Sequence, residues 1–135
     1  MKNFVVFLII AGCFAAFSCG EKESERFKLL TGPIWDPDSL MANGIDASGP
    51  GGILTDFLGD AKFKTDGTGY FGKYIGEWMF NSDETELVIT SDSLPLPVIA
   101  DIKELTSISL KLTTVLPNPA DLQNPYNIRM TFKAK

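Results

Sequence analysis

Histidine is missing from this chain altogether. Its absence removes His-based catalytic triads, His zinc ligands and a His general base together. Cysteine is nearly missing, with only Cys13 and Cys19. Basic residues are few, 12 against 17 acidic ones. That balance argues against nucleic acid, which calls for clustered Lys and Arg, and against electrostatic docking on anionic lipid. No apolar run is long enough to span a bilayer comfortably. The longest, Phe4–Phe17, falls short of the ~20 residues a spanning helix needs. No stretch after it carries sustained helical periodicity.

The apolar run that is present has a processing pattern. Lys2 supplies a positive start, Phe4–Phe17 fits a secretory hydrophobic segment, and small residues lead to Cys19. Ala16-Phe17-Ser18-Cys19 resembles the lipobox of bacterial lipoproteins, where a small residue precedes the acylated cysteine. The expectation is a signal peptide over 1–18, cleaved before Cys19, with lipid on Cys19. A disulfide would need Cys13, which lies in the segment to be removed. Stability must then come from the core alone. Anchoring would rest on acyl chains, at ~0.8 kcal/mol per buried methylene, with more than one chain needed for stable attachment. Residues 19–26 read as the lipidated cysteine and a charged, solvated tether, and 27–135 as one small domain.

Within 27–135, alternation of period two dominates and predicts antiparallel sheet with one solvated face. Phe63 points inward between Lys62 and Lys64. Asp66-Gly67 is a hairpin signal. Tyr70–Ile75 is aromatic and β-prone, and Gly76 suggests a bulge or bend. Trp78 and Phe80 share a face, as do Leu87 and Ile89. Ser107–Val115 places Ile108, Leu110 and Leu112 inward. Asn127–Lys133 places Ile128, Met130 and Phe132 inward. Pro95, Pro97, Pro117, Pro119 and Pro125 punctuate the strands. Met41–Gly52 shows no pattern, and Ile53–Leu58 reads as one helical turn or a cap. A connection of that size suits a lid or a surface insertion.

Four ordered pieces carry a resemblance: Leu30–Trp35 (LTGPIW), Phe63–Phe71 (FKTDGTGYF), Gly76–Thr90 (GEWMFNSDETELVIT) and Ile102–Leu112 (IKELTSISLKL). Together they resemble the lipocalin-like domains of small secreted lipoproteins of Gram-negative bacteria. The resemblance implies an all-β fold, a single antiparallel meander barrel of about eight strands. A β-sandwich is the alternative from the strand pattern. It also implies a Gly-Trp pair plugging one barrel end. Here Gly32 and Trp35 are separated by two residues, where lipocalins proper have one. The implied location is the cell envelope, lipid-anchored to the outer membrane on its periplasmic or cell-surface face.

The carboxylates Asp36, Asp38, Asp56 and Asp60 suit turns or solvent better than catalysis or calcium. The expectation is a protein that is not an enzyme and takes no cofactor or metal. Its aromatics are first of all core. Candidate ligand-binding residues at an open barrel mouth are Trp35, Phe57, Tyr70, Phe71 and Tyr74, with Met41–Leu58 as the gate. The leading reading is a membrane-anchored protein that binds a small apolar ligand or an envelope protein. A glycan-binding module using exposed Trp35 or Tyr74 is one alternative. A structural or assembly lipoprotein with a filled core is another.

Overall fold

The computed structural model describes residues 23–135. The signal segment 1–18 and Cys19 lie outside the described residues. The chain forms one short helix, α1 (Glu25–Thr31), then nine strands: β1 (Trp35–Ala42), β2 (Ile45–Asp46), β3 (Ala61–Phe63), β4 (Thr68–Phe71), β5 (Tyr74–Phe80), β6 (Glu86–Ser91), β7 (Val98–Leu105), β8 (Ser109–Leu116) and β9 (Tyr126–Ala134). Every pairing is antiparallel. Strands β3 to β9 follow one another as a meander, and β1 pairs with β9 from Trp35↔Ala134 to Ala42↔Ile128. On its other edge β1 meets β3 at Trp35↔Ala61. Eight strands thus close a barrel, and β2 is an added strand beside the end of β1. Closure leaves few free edges for unwanted pairing. The fold is the all-β antiparallel barrel the sequence predicts, and not a sandwich.

The inward positions are those the alternation picks out. Phe63, Leu87, Ile89, Leu110, Leu112, Ile128, Met130 and Phe132 are all buried. Ile108 is the exception: it is 71 % exposed, in the β7–β8 turn. The ladder starts one residue later, at Ser109, so Ile108 escapes the alternation that sets Leu110 and Leu112 inside.

Tight turns overturn two expectations. Met41–Gly52 is not structureless. Met41 and Ala42 end β1, and Asn43 (φ 52°) and Gly44 (φ 80°) make a two-residue turn into β2. Both central residues have positive φ, the condition for a primed hairpin turn, which Asn-Gly meets at little cost. Likewise Tyr70–Ile75 is not one strand. Gly72 (φ 61°) and Lys73 turn the chain back, and Phe71 pairs with Tyr74. At Gly76 both ladders keep their register, so the expected bulge is absent. The expected single turn in Ile53–Leu58 is present as a 3-10 turn over Thr55–Phe57.

Glu25 and Arg26 belong to α1 rather than to a tether. Ser24 caps the helix, its Oγ accepting from the Phe27 N–H at 3.0 Å. The helix lies against β3 and β7 at one barrel end, with Leu30 fully buried and the Phe27 ring 5.6 Å from that of Trp78. The last turn of a helix leaves carbonyls without partners, and here side chains from two strands supply donors. Trp35 Nε1 donates to the Leu30 carbonyl at 2.9 Å. Lys62 Nζ donates to the carbonyls of Thr31 (2.6 Å), Gly32 (3.0 Å) and Pro33 (3.2 Å). A cation at this end also complements the helix dipole.

Candidate functional site

The barrel interior at the end opposite α1 is the site the sequence points to. Segment 47–60 crosses that end between β2 and β3. It is held by the Ala47 N–H on the Leu40 carbonyl (2.9 Å) and the Leu54 N–H on the Ala47 carbonyl (3.0 Å). Further along, it latches onto the β4–β5 turn. The Lys73 N–H donates to Asp56 at 2.8 Å, and the Gly72 N–H to Asp60 at 3.1 Å. Glycine is required at 72, because its φ is positive and a Cβ would strike the Asp56 carbonyl and Phe57. The latch sets the Phe57 ring 4.8 Å from that of Tyr74.

Beneath Phe57 lies a cavity of about 20 Å³, lined only by apolar side chains including Phe63, Phe71, Ile89, Met130 and Phe132. A ligand site for a small molecule occupies roughly 300–1,000 Å³. A void of this size has room for about one water, and an apolar one stays dry. The interior is therefore packed core. Phe63 contacts Phe71 at 5.1 Å and Trp78 at 5.6 Å between ring centroids, and Trp78 meets Phe80 edge-on at 5.4 Å. These five-ångström, tilted contacts are the geometry aromatic rings prefer. Trp78 Nε1 is satisfied by the Lys64 carbonyl at 2.9 Å.

The five candidate residues separate. Phe57, Phe71 and Tyr74 come together at the capped interior. Tyr70 stands on the outer face, opposite Lys62 on one side and Ile75 on the other. Trp35 is fully buried, its indole committed to α1, and it does not line the cavity. A glycan platform at Trp35 has no exposed ring, and the Tyr74 ring is packed by Phe57. No family model matches this chain, and no curated protein matches it.

The roomier depressions are open grooves on the outer wall. One of about 400 Å³ runs over β7–β9 and the β1–β2 hairpin, past Asp101, Thr114, Val115 and Arg129. Another, about 300 Å³, lies beside Met79 and Trp78 on β5. Three of the four candidate carboxylates are paired with lysines at the surface. Asp38 meets Lys133 (3.1 Å), Asp56 meets Lys73 (3.3 Å) and Asp60 meets Lys135 (3.0 Å). Such exposed pairs contribute little, typically about 0–1 kcal/mol. Among the described residues, no group of three or more His, Cys, Asp or Glu is placed to hold a metal.

Hydrogen-bonded carboxylates of the turns and of β7 carry the pH response. Hydroxyl donors from Ser48, Thr68 and Thr85 hold the carboxyls of Asp46, Asp66 and Asp83 below their usual 3.8. The Ser109 hydroxyl, then Lys111, does the same to Glu104 relative to 4.5. A carboxyl depressed in the folded state stabilises the fold above its unfolded value, and the contribution disappears as pH falls through the folded value. Thermal melts should thus be flat between about pH 5 and 8, where only histidine ordinarily titrates. The Tm should begin to fall as pH drops below roughly 4.5, the ordinary carboxylate range. A Tm step near neutral pH would contradict this.

Proposed function

We propose that this protein is a lipid-anchored binding protein of the cell envelope, not an enzyme, whose barrel is a rigid body engaging a protein partner through its outer surface. The packed interior carries this reading: among the described residues the apolar void inside the barrel is about 20 Å³, far below the roughly 300 Å³ or more of a small-molecule site. Large apolar side chains stand outside instead, among them Ile75 (78 % exposed), Leu96 (63 %) and Leu122 (78 %). Leu96 and Leu122 lie in the β6–β7 and β8–β9 loops, at the end away from α1. The Ser18-Cys19 pattern behind an apolar segment supports cleavage and acylation at Cys19. The resemblance to lipocalin-like lipoproteins supports the outer membrane as the location.

The Cys19→Ser variant is expected to leave the membrane fraction, while the wild type pellets with membrane. A mass spectrum of the wild type should show residues 1–18 removed and acyl chains added. A soluble wild-type chain that keeps residues 1–18 would overturn the anchor. For the partner, photo-crosslinkers at Leu96 and Leu122 should capture one envelope protein that a crosslinker at Asp36 does not.

One observation favours an apolar ligand instead. Phe57, on the segment that crosses the barrel end, is one of eight side chains around a void lined only by apolar groups. If the segment opens to admit a ligand, Phe57→Ala will enlarge the void and raise affinity for an apolar probe such as a fatty acid. A titration following intrinsic Trp emission reads this. No binding by either wild type or Phe57→Ala, with the fold intact, leaves the partner reading alone.

A further inference from the structure

Four outward side chains line up across one wall of the barrel. Met79 on β5 pairs with Val88 on β6, and Val88 pairs with Ile99 on β7. The Asp101↔Thr113 pairing and the bond from Thr114 Oγ1 to the Ile99 carbonyl (2.6 Å) set Val115 of β8 beside Ile99. Met79 is 61 % exposed, Ile99 55 % and Val115 57 %. The outer face of an antiparallel sheet is ordinarily polar. Folding gives no reason for an apolar row there, about 14 Å across four strands spaced ~4.8 Å apart.

The Met79 and Val88 end of the row lies where the chain enters the domain, and the row slants from there toward Ile99 and Val115 at the other end of the barrel. Ser24 Oγ donates to Glu84 Oε2 at 2.6 Å, and Arg26 Nε donates to the Glu84 carbonyl at 2.9 Å. Glu84 sits in the turn between β5 and β6, so Ser24 is fixed at the head of the wall that carries Met79 and Val88. From Ser24 back to Cys19 the chain reaches at most about 17 Å. An acyl group on Cys19 thus keeps this wall close to the bilayer, whereas β1 stands on the opposite side of the barrel. The row is bordered by Glu86 and Asp101 on one side and by Glu77 and Thr90 on the other. That acidic border disfavours anionic lipid and suits a zwitterionic surface.

We infer that the Met79–Val88–Ile99–Val115 row is a second membrane contact, which lays the β5–β8 wall on a zwitterionic lipid surface and turns the β1 wall outward. The inference rests on acylation of Cys19. Its test uses the acylated protein in phosphatidylethanolamine–phosphatidylcholine vesicles. An environment-sensitive thiol label is placed by Met79→Cys or Ile99→Cys on the wall, and by Asp38→Cys on β1 as the control. Positions 79 and 99 should give blue-shifted emission that bromolipids quench, and position 38 should give neither. Equal emission and quenching at all three sites, with the protein acylated and vesicle-bound, would overturn the second contact and leave the anchor standing. Shielding at 79 only when envelope proteins are added would overturn it in favour of a protein occupant. A mass spectrum without acyl groups on Cys19 would remove the anchor and this inference together.

Discussion

Trp35→Ala will cost about 3–5 kcal/mol, the range for truncating a large buried aromatic. Three losses coincide at this position. The side chain is fully buried, so its whole apolar area returns to water and a cavity remains. Its Nε1 is the donor to the Leu30 carbonyl, which is left in the last turn of α1 without that partner. Its backbone also lies at the only register point joining β1 to β3, so relaxation there loosens barrel closure. The measurement is urea unfolding, supported by a Tm drop on the order of 15 °C for a domain of this size. Trp35→Phe separates the terms. It keeps most of the ring and loses the hydrogen bond, so it should cost roughly 1–3 kcal/mol, the penalty for one unsatisfied buried acceptor. An alanine variant as stable as the phenylalanine variant would show that packing at Trp35 matters little.

The second large effect is at Gly76. It pairs with Gly69 on β4 and with Ser91 on β6. A Cβ at 76 would strike the Thr90 carbonyl, and one at 69 would strike the Lys62 carbonyl and meet the Phe71 ring. The two glycines let the backbones of β3 and β4, and of β5 and β6, approach closely, a role glycine has in sheets because it has no side chain to displace a neighbour. Gly76→Val is expected to cost at least about 3 kcal/mol, the upper range for overpacking, because the obstacle is backbone and cannot rotate away. Gly76→Ala should fall below it in cost. Gly49→Ala is the control, since nothing lies within 4 Å of a Cβ there. It should stay within about 0.5 kcal/mol of wild type. Chemical denaturation with all three variants decides the matter. Near-identical stabilities for Gly76→Val and Gly49→Ala would contradict the close approach.

Much of the wall of this barrel was legible in the sequence. Leu110 and Leu112 of β8, and Ile128, Met130 and Phe132 of β9, alternate with polar residues over lengths that only a strand fits. Turns were harder. Asn43-Gly44 is a strong hairpin signal, but only two residues of β2 follow it, so alternation on the far side never becomes visible. Phe71-Gly72-Lys73-Tyr74 hides its turn because the flanking aromatics read as one β-prone run. Helix α1 was obscured by its charged start. Its support is long-range: Glu84 holds Ser24, while Trp35 and Lys62 hold its last carbonyls.

The candidate site shows a similar division. Phe57, Phe71 and Tyr74 are aromatics near the mouth that the sequence predicts, and the fold brings them together. Trp35 and Tyr70 are also aromatics of the right kind, but one is buried beside α1 and the other stands on the outer face. Periodicity assigns a side chain to a face, while its neighbours depend on register and closure. Lys62 makes the same point. Alternation sets it outward, and nothing nearby in sequence announces the three carbonyls that it reaches.

By itself the sequence determined the strand class, the inward residues of the later strands and the exclusion of histidine chemistry, because these depend on composition and on a period of two that each segment carries locally. The tertiary structure alone decided that the barrel closes through β1 on β9, that its interior is packed rather than hollow, and that an exposed apolar row runs across the β5–β8 wall from the side where the chain enters. Those properties depend on how many side-chain volumes meet inside a closed sheet and on which strands become neighbours. Both are set by register and turn geometry between residues far apart in the chain.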